Sequence, residues 1–510
     1  MAANAGVQEP PEARPLQKGL KANAIGFTSS VVIGVASTAP GYSLAAVLGL
    51  VVAVEGIGPQ APAVFLVAFV PMLLVAMAYK YMNKADPDAG TTFAWVTRAF
   101  GPSAGWISGW AIVVADIIVM ANLAQIAGLY SFLLFGIDDP STAAVTAVGV
   151  VWIAVMTYIC VIGIELNART QRWLLTAEIV TLAIFAVVAL VRVWAGDGPA
   201  GSSSPELSWF SPFAIDSSGA LVSGVLLAVF IYWGWDSLVC VNEETEDSEN
   251  VPGRAAIVAT IILVGVYVVV STAAIAFGGV DRLANDESGD VLGLLANDVF
   301  GSTLLGKIVI IAVLSSAAAS TQTTILPTSR TTLSMARAKA FPGRFGHIHQ
   351  TYQTPDTSTW WMGALSIIWY VGLTIVSEDI LFDSIAALGL MIAFYYGITG
   401  VACTWYYRRE LTKSARNFWL VGMAPLVGGL LLLAIFAKSC FDLSADDAGS
   451  TTYFGLGSPL VLGLEFLLLG PILMGIWYVT GHRDFFRRRR EVADPAVLAE
   501  DEVAPAPARA

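Results

Sequence analysis

The stretch LLAVFIYWGWDSLVCVNEETEDSENV, from Leu226 to Val251, shapes the interpretation of the whole chain. It begins as an apolar helix, is interrupted at Gly234, and carries a carboxylate at Asp236 before an acidic run that starts at Glu243. Unwound backbone at membrane depth survives only where protein or a watery cavity satisfies its polar groups. The stretch therefore predicts a broken membrane helix whose interruption forms part of a binding site, with the acidic run as its exit from the membrane.

The composition indicates an all-α integral membrane protein. Of the 510 residues 56% are hydrophobic and 13% are charged, whereas a typical soluble chain has about 25% charged residues. A helix crosses the hydrocarbon core with about 20 apolar residues. Stretches of this kind predict about twelve spans, at 28–53, 62–82, 103–135, 143–164, 172–195, 219–241, 256–277, 301–328, 358–376, 380–407, 417–437 and 457–480.

The distribution of Lys and Arg predicts the orientation. All of the 27 basic residues except Arg192, Arg282, Lys307 and Lys438 fall on one side if the spans alternate. We therefore expect a multi-pass protein of the cell membrane with cytoplasmic N- and C-termini. The polar segments 1–24 and 481–510 are predicted to be disordered, and the basic run at 487–490 favours contact with anionic lipid over a nucleic-acid site.

The first predicted span is also interrupted, at Ser37-Thr38-Ala39-Pro40-Gly41. Pro40 cannot donate to the helical ladder, and Gly41 tolerates unwound backbone. Spans six, seven and eight follow spans one, two and three at nearly the same distance along the chain. We therefore expect 25–195 and 217–408 to form two inverted five-span halves, each opening with a broken helix. The segment 417–480 is expected to add two further helices. This pattern indicates a secondary transporter with a site near the membrane midplane.

Other interpretations of these features stay open at this stage. The first span could be a Pro-kinked helix that packs through small residues. A channel or membrane receptor is the alternative from another functional class, although a channel needs a continuous polar path. The chain has no Walker motif, so an ATP-driven pump is disfavoured. Neither an enzymatic activity nor a cofactor is expected.

Three segments carry a resemblance to a known family. They are DPDAGTTFAWVTRAFGP at 86–102, FIYWGWD at 230–236 with Glu243-Glu244 after it, and SRTTLSMARAKAFP at 329–342. In this order they resemble the amino acid–polyamine–organocation superfamily, in its bacterial amino acid permease type. The resemblance implies a leucine-transporter-type fold and alternating-access transport of amino acids, or of polyamines and related amines, driven by protons or by exchange.

A broken helix presents free N–H groups at one end and free C=O groups at the other, which attract an anion and a cation respectively. An amino acid carboxylate is therefore expected at the N–H groups from Thr38 to Gly41, and its ammonium group at carbonyls near Val35 and Ile231. The resemblance adds Phe230 as an aromatic gate. The predicted substrate-binding residues are Val35, Ala36, Ser37, Thr38, Ala39, Gly41, Val119, Asn122, Phe230, Ile231, Tyr232, Gly234 and Thr324.

Three carboxylates inside predicted spans are candidates for proton coupling, because an intramembrane carboxylate is costly to bury. Asp236 either moves the coupling proton or caps the free amides of its broken helix. Asp116 favours a cationic substrate if it faces the cavity, and otherwise pairs with a hydroxyl or amide of a neighbouring span. Glu178 is a second coupling candidate, with stabilisation of a helix end as the alternative.

The expected coupling ion is H⁺ rather than Na⁺. Ser320 and Thr321 on the eighth span offer hydroxyl oxygens that suit a hard cation, as in sodium-coupled relatives of the fold, but such hydroxyls also bond back to their own helix. No other metal site is expected. The expected partners are thus a small amino acid or amine, H⁺ and the lipid bilayer, without nucleic acid.

Overall fold

The computed structural model describes residues 18–286, 290–376, 378–445 and 448–488. Up to the second interruption the helices are α1 Phe27–Ser37, α2 Pro40–Ala53, α3 Ala61–Ala85, α4 Thr92–Phe100, α5 Pro102–Leu134, α6 Thr142–Ile162, α7 Ile164–Trp194 and α8 Ser218–Ile231. After it come α9 Ser237–Cys240, α10 Val251–Gly278, α11 Val280–Ala284, α12 Val291–Phe300, α13 Thr303–Arg337, α14 Asp356–Val376, α15 Glu378–Tyr406, a π-helical turn Asn417–Met423, α16 Ala424–Asp442, the antiparallel strands β1 Thr452–Tyr453 and β2 Leu456–Gly457, and α17 Ser458–Val479.

The described residues confirm an all-α, multi-pass architecture. Eleven helical segments are long and apolar enough to cross a membrane, with α1 and α2 counted together as the first. They correspond to eleven of the twelve predicted spans. The remaining predicted span, 219–241, is divided into the short helices α8 and α9, because Gly234 adopts a φ of +111° between them.

Two predicted boundaries were wrong, and buried polar groups explain both. The fifth span was expected at 172–195, but α7 begins at Ile164, and its early turns bury Asn167 and Gln171 inside the bundle. The eighth span was expected to end at 328, but α13 continues to Arg337. That extension contains Arg330, a charged side chain that hydropathy assigns to a loop and that the structure buries completely.

The two interrupted helices lie against each other at the centre of the bundle. The first half of the first interruption, α1, packs on α7, α10 and α13, and also touches α9 of the second interruption. Its second half, α2, packs on α8, α12 and α13. The long helix α13 crosses both interruptions and also packs along α5. Backbone N–H and C=O groups that lose their helical partners at either break therefore face protein on several sides.

A group of ion pairs closes the face of the bundle at which the described chain begins. We call Lys18, Asp88, Glu243, Glu244 and Arg330 the terminal cluster. The Lys18 ammonium pairs with Asp88 at 2.8 Å and with Glu243, while Arg330 forms two parallel hydrogen bonds to Glu244, of 2.8 and 2.9 Å. The acidic run is therefore more than a solvated exit from the membrane, since two of its carboxylates bind cations in the interior.

At Asp88, pairing with a cation affects the pKa of the carboxyl group more than burial does. Burial by itself would raise the pKa of the Asp88 carboxyl, but the Lys18 ammonium, helped by the Ser334 hydroxyl, holds that pKa below its usual value. At Glu243, which shares the same ammonium, burial dominates and raises the pKa. The Lys18 ammonium therefore serves two carboxylates in different surroundings.

Parts of both segments predicted to be disordered lie within the described residues. Most of the predicted disordered segment 1–24 lies outside the described residues, but from Lys18 onward it is in contact with the bundle. The N–H groups of Ala24 and Ile25 donate to the Glu244 carbonyl at 2.8 and 3.1 Å. At the other end Phe485 is buried against Phe93, while 489–510 of the predicted disordered tail lie outside the described residues.

Removing Arg330 should destabilise the protein strongly, because it would leave the Glu244 carboxylate buried without its partner. We expect Arg330→Ala to lower the free energy of unfolding by about 3–5 kcal/mol, measured by denaturant or thermal unfolding of purified protein. Arg172→Ala, at an exposed position, is the control and should change it by less than about 0.5 kcal/mol. The double variant Arg330→Met/Glu244→Gln should recover part of the loss. Equal losses in the single and double variants would contradict this account.

Candidate functional site

The first interruption is a sharp turn between α1 and α2. Thr38 follows the end of α1, Ala39 adopts a left-handed conformation with φ +46° and ψ +62°, and Pro40 starts α2. Left-handed backbone is costly for a residue with a Cβ. Here it is held by local bonds, since the N–H of Ala39 donates to Ala36 and the Ser43 hydroxyl donates to the Thr38 carbonyl.

The amino end of α2 is closed by side chains from two other helices. The Gly41 N–H donates to Glu178 Oε1 at 2.7 Å, and the Tyr42 N–H donates to the Ser316 hydroxyl at 3.2 Å. Glu178 and Ser316 belong to α7 and α13, so tertiary packing supplies what the helix lacks. Of the two alternatives for Glu178, stabilisation of a helix end is the one that the geometry displays. Proton coupling by Glu178 stays a prediction.

The carboxyl end of α1 is tied to the helices around it. The Ser320 hydroxyl donates to the Ser37 carbonyl at 2.8 Å, and the hydroxyls of Ser37 and Ser237 lie 2.7 Å apart. The carbonyl of Val35 accepts from both the N–H and the hydroxyl of Thr38. The groups at which a substrate ammonium was expected are thus hydrogen-bonded within the protein in this structure.

The second interruption is built around aromatic side chains. After Ile231 the chain turns through Tyr232 and Trp233 to Gly234. The Tyr267 hydroxyl of α10 donates to the Ile231 carbonyl, and the Tyr232 hydroxyl donates to the Phe65 carbonyl at 3.0 Å. Each Tyr places its apolar ring in the bundle and its hydroxyl on a buried polar group.

The two interruptions touch at Gly234. A Cβ at this position would lie 2.7 Å from the Ser37 carbonyl oxygen, closer than real Cβ contacts allow. The φ of +111° is also a conformation that residues with a Cβ rarely adopt. The sequence predicted a break at Gly234, and the structure adds that glycine is required there for close approach of the two broken helices.

Asp236 lies just beyond this contact, and three tyrosine hydroxyls surround its carboxylate. Tyr396 donates to Oδ1 at 2.7 Å, while Tyr395 and Tyr79 donate to Oδ2 at 3.2 and 3.4 Å. The side chain is 2% exposed. The Asp236 side chain makes no capping hydrogen bond to α9, so the structure does not display the capping alternative there. The donors come from α3 and α15, which makes this cluster a junction of three helices.

The two predicted polar residues on the third span form hydrogen bonds with two different helices. Asp116 Oδ2 accepts from the Thr328 hydroxyl of α13 at 2.6 Å, which is the pairing alternative considered from the sequence. Asn122 donates to the Ser384 hydroxyl of α15 at 3.0 Å. Val119 is buried between them along α5. α5 also packs on α15, the helix that carries two of the tyrosines around Asp236.

The remaining predicted site residues lie at the end of α8 and on α13. Phe230 is half-buried at the end of α8, and Thr324 is buried on α13. The Thr321 hydroxyl donates to the Ala317 carbonyl of its own helix at 2.7 Å. With Ser320 donating to Ser37, both hydroxyls proposed for sodium are used within the protein. Among the described residues no group of three His, Cys, Asp or Glu side chains is placed to hold a metal ion.

Sequence reasoning missed the tyrosines. Tyr79, Tyr395 and Tyr396 surround Asp236, and Tyr267 closes the end of α8. A signal was present, since a tyrosine deep in an apolar span must find a partner for its hydroxyl. The sequence did not show which carboxylate or carbonyl that partner would be.

Two interrupted helices in contact within an apolar helical bundle are typical of membrane carriers. Comparison with known proteins specifies the family. The amino acid permease family model matches residues 22–454, and the chain belongs to that family. It is therefore a secondary transporter of amino acids or amines and not an enzyme.

Relatives of known function carry both kinds of substrate. The low-affinity putrescine importer PlaP of Escherichia coli (strain K12) is 21% identical over 384 residues, which cover 74% of this chain and 80% of the importer. The branched-chain amino acid permease BcaP of Bacillus subtilis is 22% identical over 402 residues, covering 74% of this chain and 79% of the permease. The mitochondrial cationic amino acid transporter 3 of Arabidopsis thaliana is 23% identical, with 73% and 61% covered.

Gly234→Ala should separate the two interruptions, because a methyl group cannot fit against the Ser37 carbonyl. The strain of about 1–3 kcal/mol at a positive φ adds to the clash. We expect initial uptake into proteoliposomes to fall by about tenfold or more, the factor that corresponds to 1.4 kcal/mol. Gly265→Ala is the matched control, since its Cβ would meet no atom within 4 Å. Normal uptake by Gly234→Ala would show that the contact is dispensable.

Proposed function

We propose that this chain is a proton-coupled carrier of small amino acids or amines in the cell membrane, working by alternating access with both termini in the cytoplasm. The observation that carries the proposal is the Asp236 carboxylate, buried beside the second helix interruption and held by Tyr79, Tyr395 and Tyr396. A titratable group at the hinge of a broken helix can link protonation to movement of that helix.

The hydrogen bonds of Asp236 support a coupling role. Its three donors lie on α3 and α15, while Asp236 itself precedes α9. The charged carboxylate accepts three hydroxyl protons and holds these helices together. Protonation would turn one oxygen into a donor and weaken that attachment. Proton binding at Asp236 would therefore loosen the junction, which is what a coupled conformational step requires.

Proton coupling is favoured over sodium coupling by the hydroxyls of α13. Ser320 donates to Ser37, and Thr321 donates within its own helix. A sodium ion would have to displace the first bond to reach the Ser37 carbonyl. Among the described residues, no carboxylate pairs with these hydroxyls to add the negative charge that a hard cation favours.

Alternating access would move the two inverted halves, 25–195 and 217–408, relative to each other. The terminal cluster joins them. Lys18 lies just before the first half, Asp88 lies in the first half, and Glu243 lies in the second half. The distribution of Lys and Arg supports a cytoplasmic position for this cluster. With these ion pairs formed, the cytoplasmic side is closed, and opening it requires that they separate.

Replacing Asp236 should separate coupling from substrate exchange. We expect Asp236→Asn to abolish uptake driven by a pH gradient in proteoliposomes while counterflow at equal pH keeps a substantial fraction of its rate, because the amide, with one acceptor oxygen and one donor group, resembles the protonated carboxyl and cannot take up or release a proton. The measurement compares both assays on the same preparation.

Two controls accompany this experiment. Tyr396→Phe removes the shortest hydrogen bond to the carboxylate and should shift the pH dependence of uptake without abolishing it. Glu165→Gln changes an exposed carboxylate on α7 and should leave both assays unchanged. Equal loss of driven uptake and counterflow in Asp236→Asn would assign Asp236 a structural role and remove the basis for the proposal.

A further inference from the structure

Glu178 occupies the place at which a substrate carboxylate would bind. The amino end of α2 is the helix end that attracts anions at the first interruption. Its N–H at Gly41 already donates to Glu178 Oε1 at 2.7 Å. Both groups are buried, and the carboxylate belongs to α7, so the chain itself supplies the anion.

The neighbouring amides leave no substitute donor for a second carboxylate. Pro40 has no N–H, and the N–H of Tyr42 donates to Ser316. The N–H groups of Thr38 and Ala39 donate to carbonyls one turn earlier in α1, and that of Ser43 to Ala39. Along this segment of the described chain, every available N–H from Thr38 to Ser43 has a partner within the protein. A substrate carboxylate would have to displace Glu178.

The second oxygen of Glu178 lacks a donor. Oε2 is buried and has no hydrogen-bond partner among the described residues. A buried, unsatisfied carboxylate oxygen is costly, and such an atom in a native protein calls for a ligand or a function. An ammonium group, with three donors, is the kind of ligand that would satisfy Oε2.

The charge balance of the interior agrees with a cationic ligand. Among the described residues, Asp116, Glu178 and Asp236 have no Lys, Arg or His within ion-pair distance. Asp116 is bonded to a hydroxyl and Asp236 to three. The buried cations Lys18 and Arg330 are paired in the terminal cluster instead. The region around the interruptions is therefore rich in carboxylates, which favours a ligand with more than one positive charge.

We infer that Glu178 converts the anion subsite at α2 into an ammonium subsite. The substrate is then an amine with two or more cationic groups, and the ammonium group that binds Glu178 has no carboxylate next to it. This inference rests on the proposed function and specifies its substrate class. One ammonium group donates to Glu178 Oε2, and a second lies toward Asp116 and Asp236. An α-amino acid with the same cationic chain is excluded because its carboxylate meets Glu178.

Pairs of ligands that differ only by a carboxylate test the inference directly. Putrescine and ornithine form one pair, cadaverine and lysine a second, and agmatine and arginine a third. Binding to the purified full-length protein is measured by calorimetry, and uptake is measured in proteoliposomes. We expect each amine to bind about tenfold or more tightly than its amino acid, the factor set by one charge-assisted hydrogen bond gained or lost.

Two variants of Glu178 distinguish its charge from its volume. Glu178→Ala frees the Gly41 N–H, so the ratio of amine to amino acid affinity should fall by about tenfold or more. Glu178→Gln still accepts from Gly41 but has no charge, so amine binding should weaken without a gain in amino acid binding. Glu165→Ala, on the same helix and exposed, should leave the ratio unchanged. Unaltered melting behaviour would show that each variant is folded.

Three results would overturn the inference. One is a wild-type protein that binds ornithine, lysine or arginine as tightly as the matching amine. Another is an unchanged affinity ratio in folded Glu178→Ala protein, which would leave Glu178 as a helix cap only. The third is absence of binding by every amine and amino acid tested. The first two leave proton-driven transport intact, whereas the third, together with absent pH-driven uptake, would remove the proposed function as well.

Discussion

The two helix interruptions depend on partners inside the bundle for the polar backbone groups that they release. In an apolar environment an unsatisfied N–H or C=O group costs several kcal/mol. The structure meets this requirement with side chains from other helices: Glu178 for the Gly41 amide, Ser320 for the Ser37 carbonyl and Tyr267 for the Ile231 carbonyl. The arrangement of the surrounding helices follows from these bonds, because each donor or acceptor must lie at one height and on one face.

The same bonds explain how a site can be both stable and able to change. A partner contributed by the protein can be exchanged for a partner contributed by a substrate, with little net loss of hydrogen bonds. Glu178 and Asp236 are suited to such exchange because each can also take up a proton or an ammonium group. The terminal cluster behaves differently, since Arg330 and Glu244 are fully buried and satisfy each other. It holds one face of the bundle closed while the centre keeps its adaptable groups.

Much of the fold was predictable from the sequence. Long apolar stretches with few charges predicted eleven of the spans, and Gly234 and Pro40 marked the two breaks. Where prediction failed, a polar residue was buried by a partner distant in the chain. Arg330 lies in α13 because Glu244 neutralises it, and the start of α7 is buried because Gln171 donates to Gln322 of α13. Hydropathy treats each residue alone and has no means of recognising such pairs.

The candidate site, like the fold, was predictable only in part from the sequence. By itself the sequence determined that two helices are broken, where they are broken, and that carboxylates lie within membrane spans, since these features depend on local backbone chemistry and composition. Only the tertiary structure decided which group each carboxylate meets: a backbone amide for Glu178, three tyrosines for Asp236 and a threonine for Asp116. Those partners are 137 to 212 residues apart in the chain. Their meeting depends on helix packing, which no local pattern encodes.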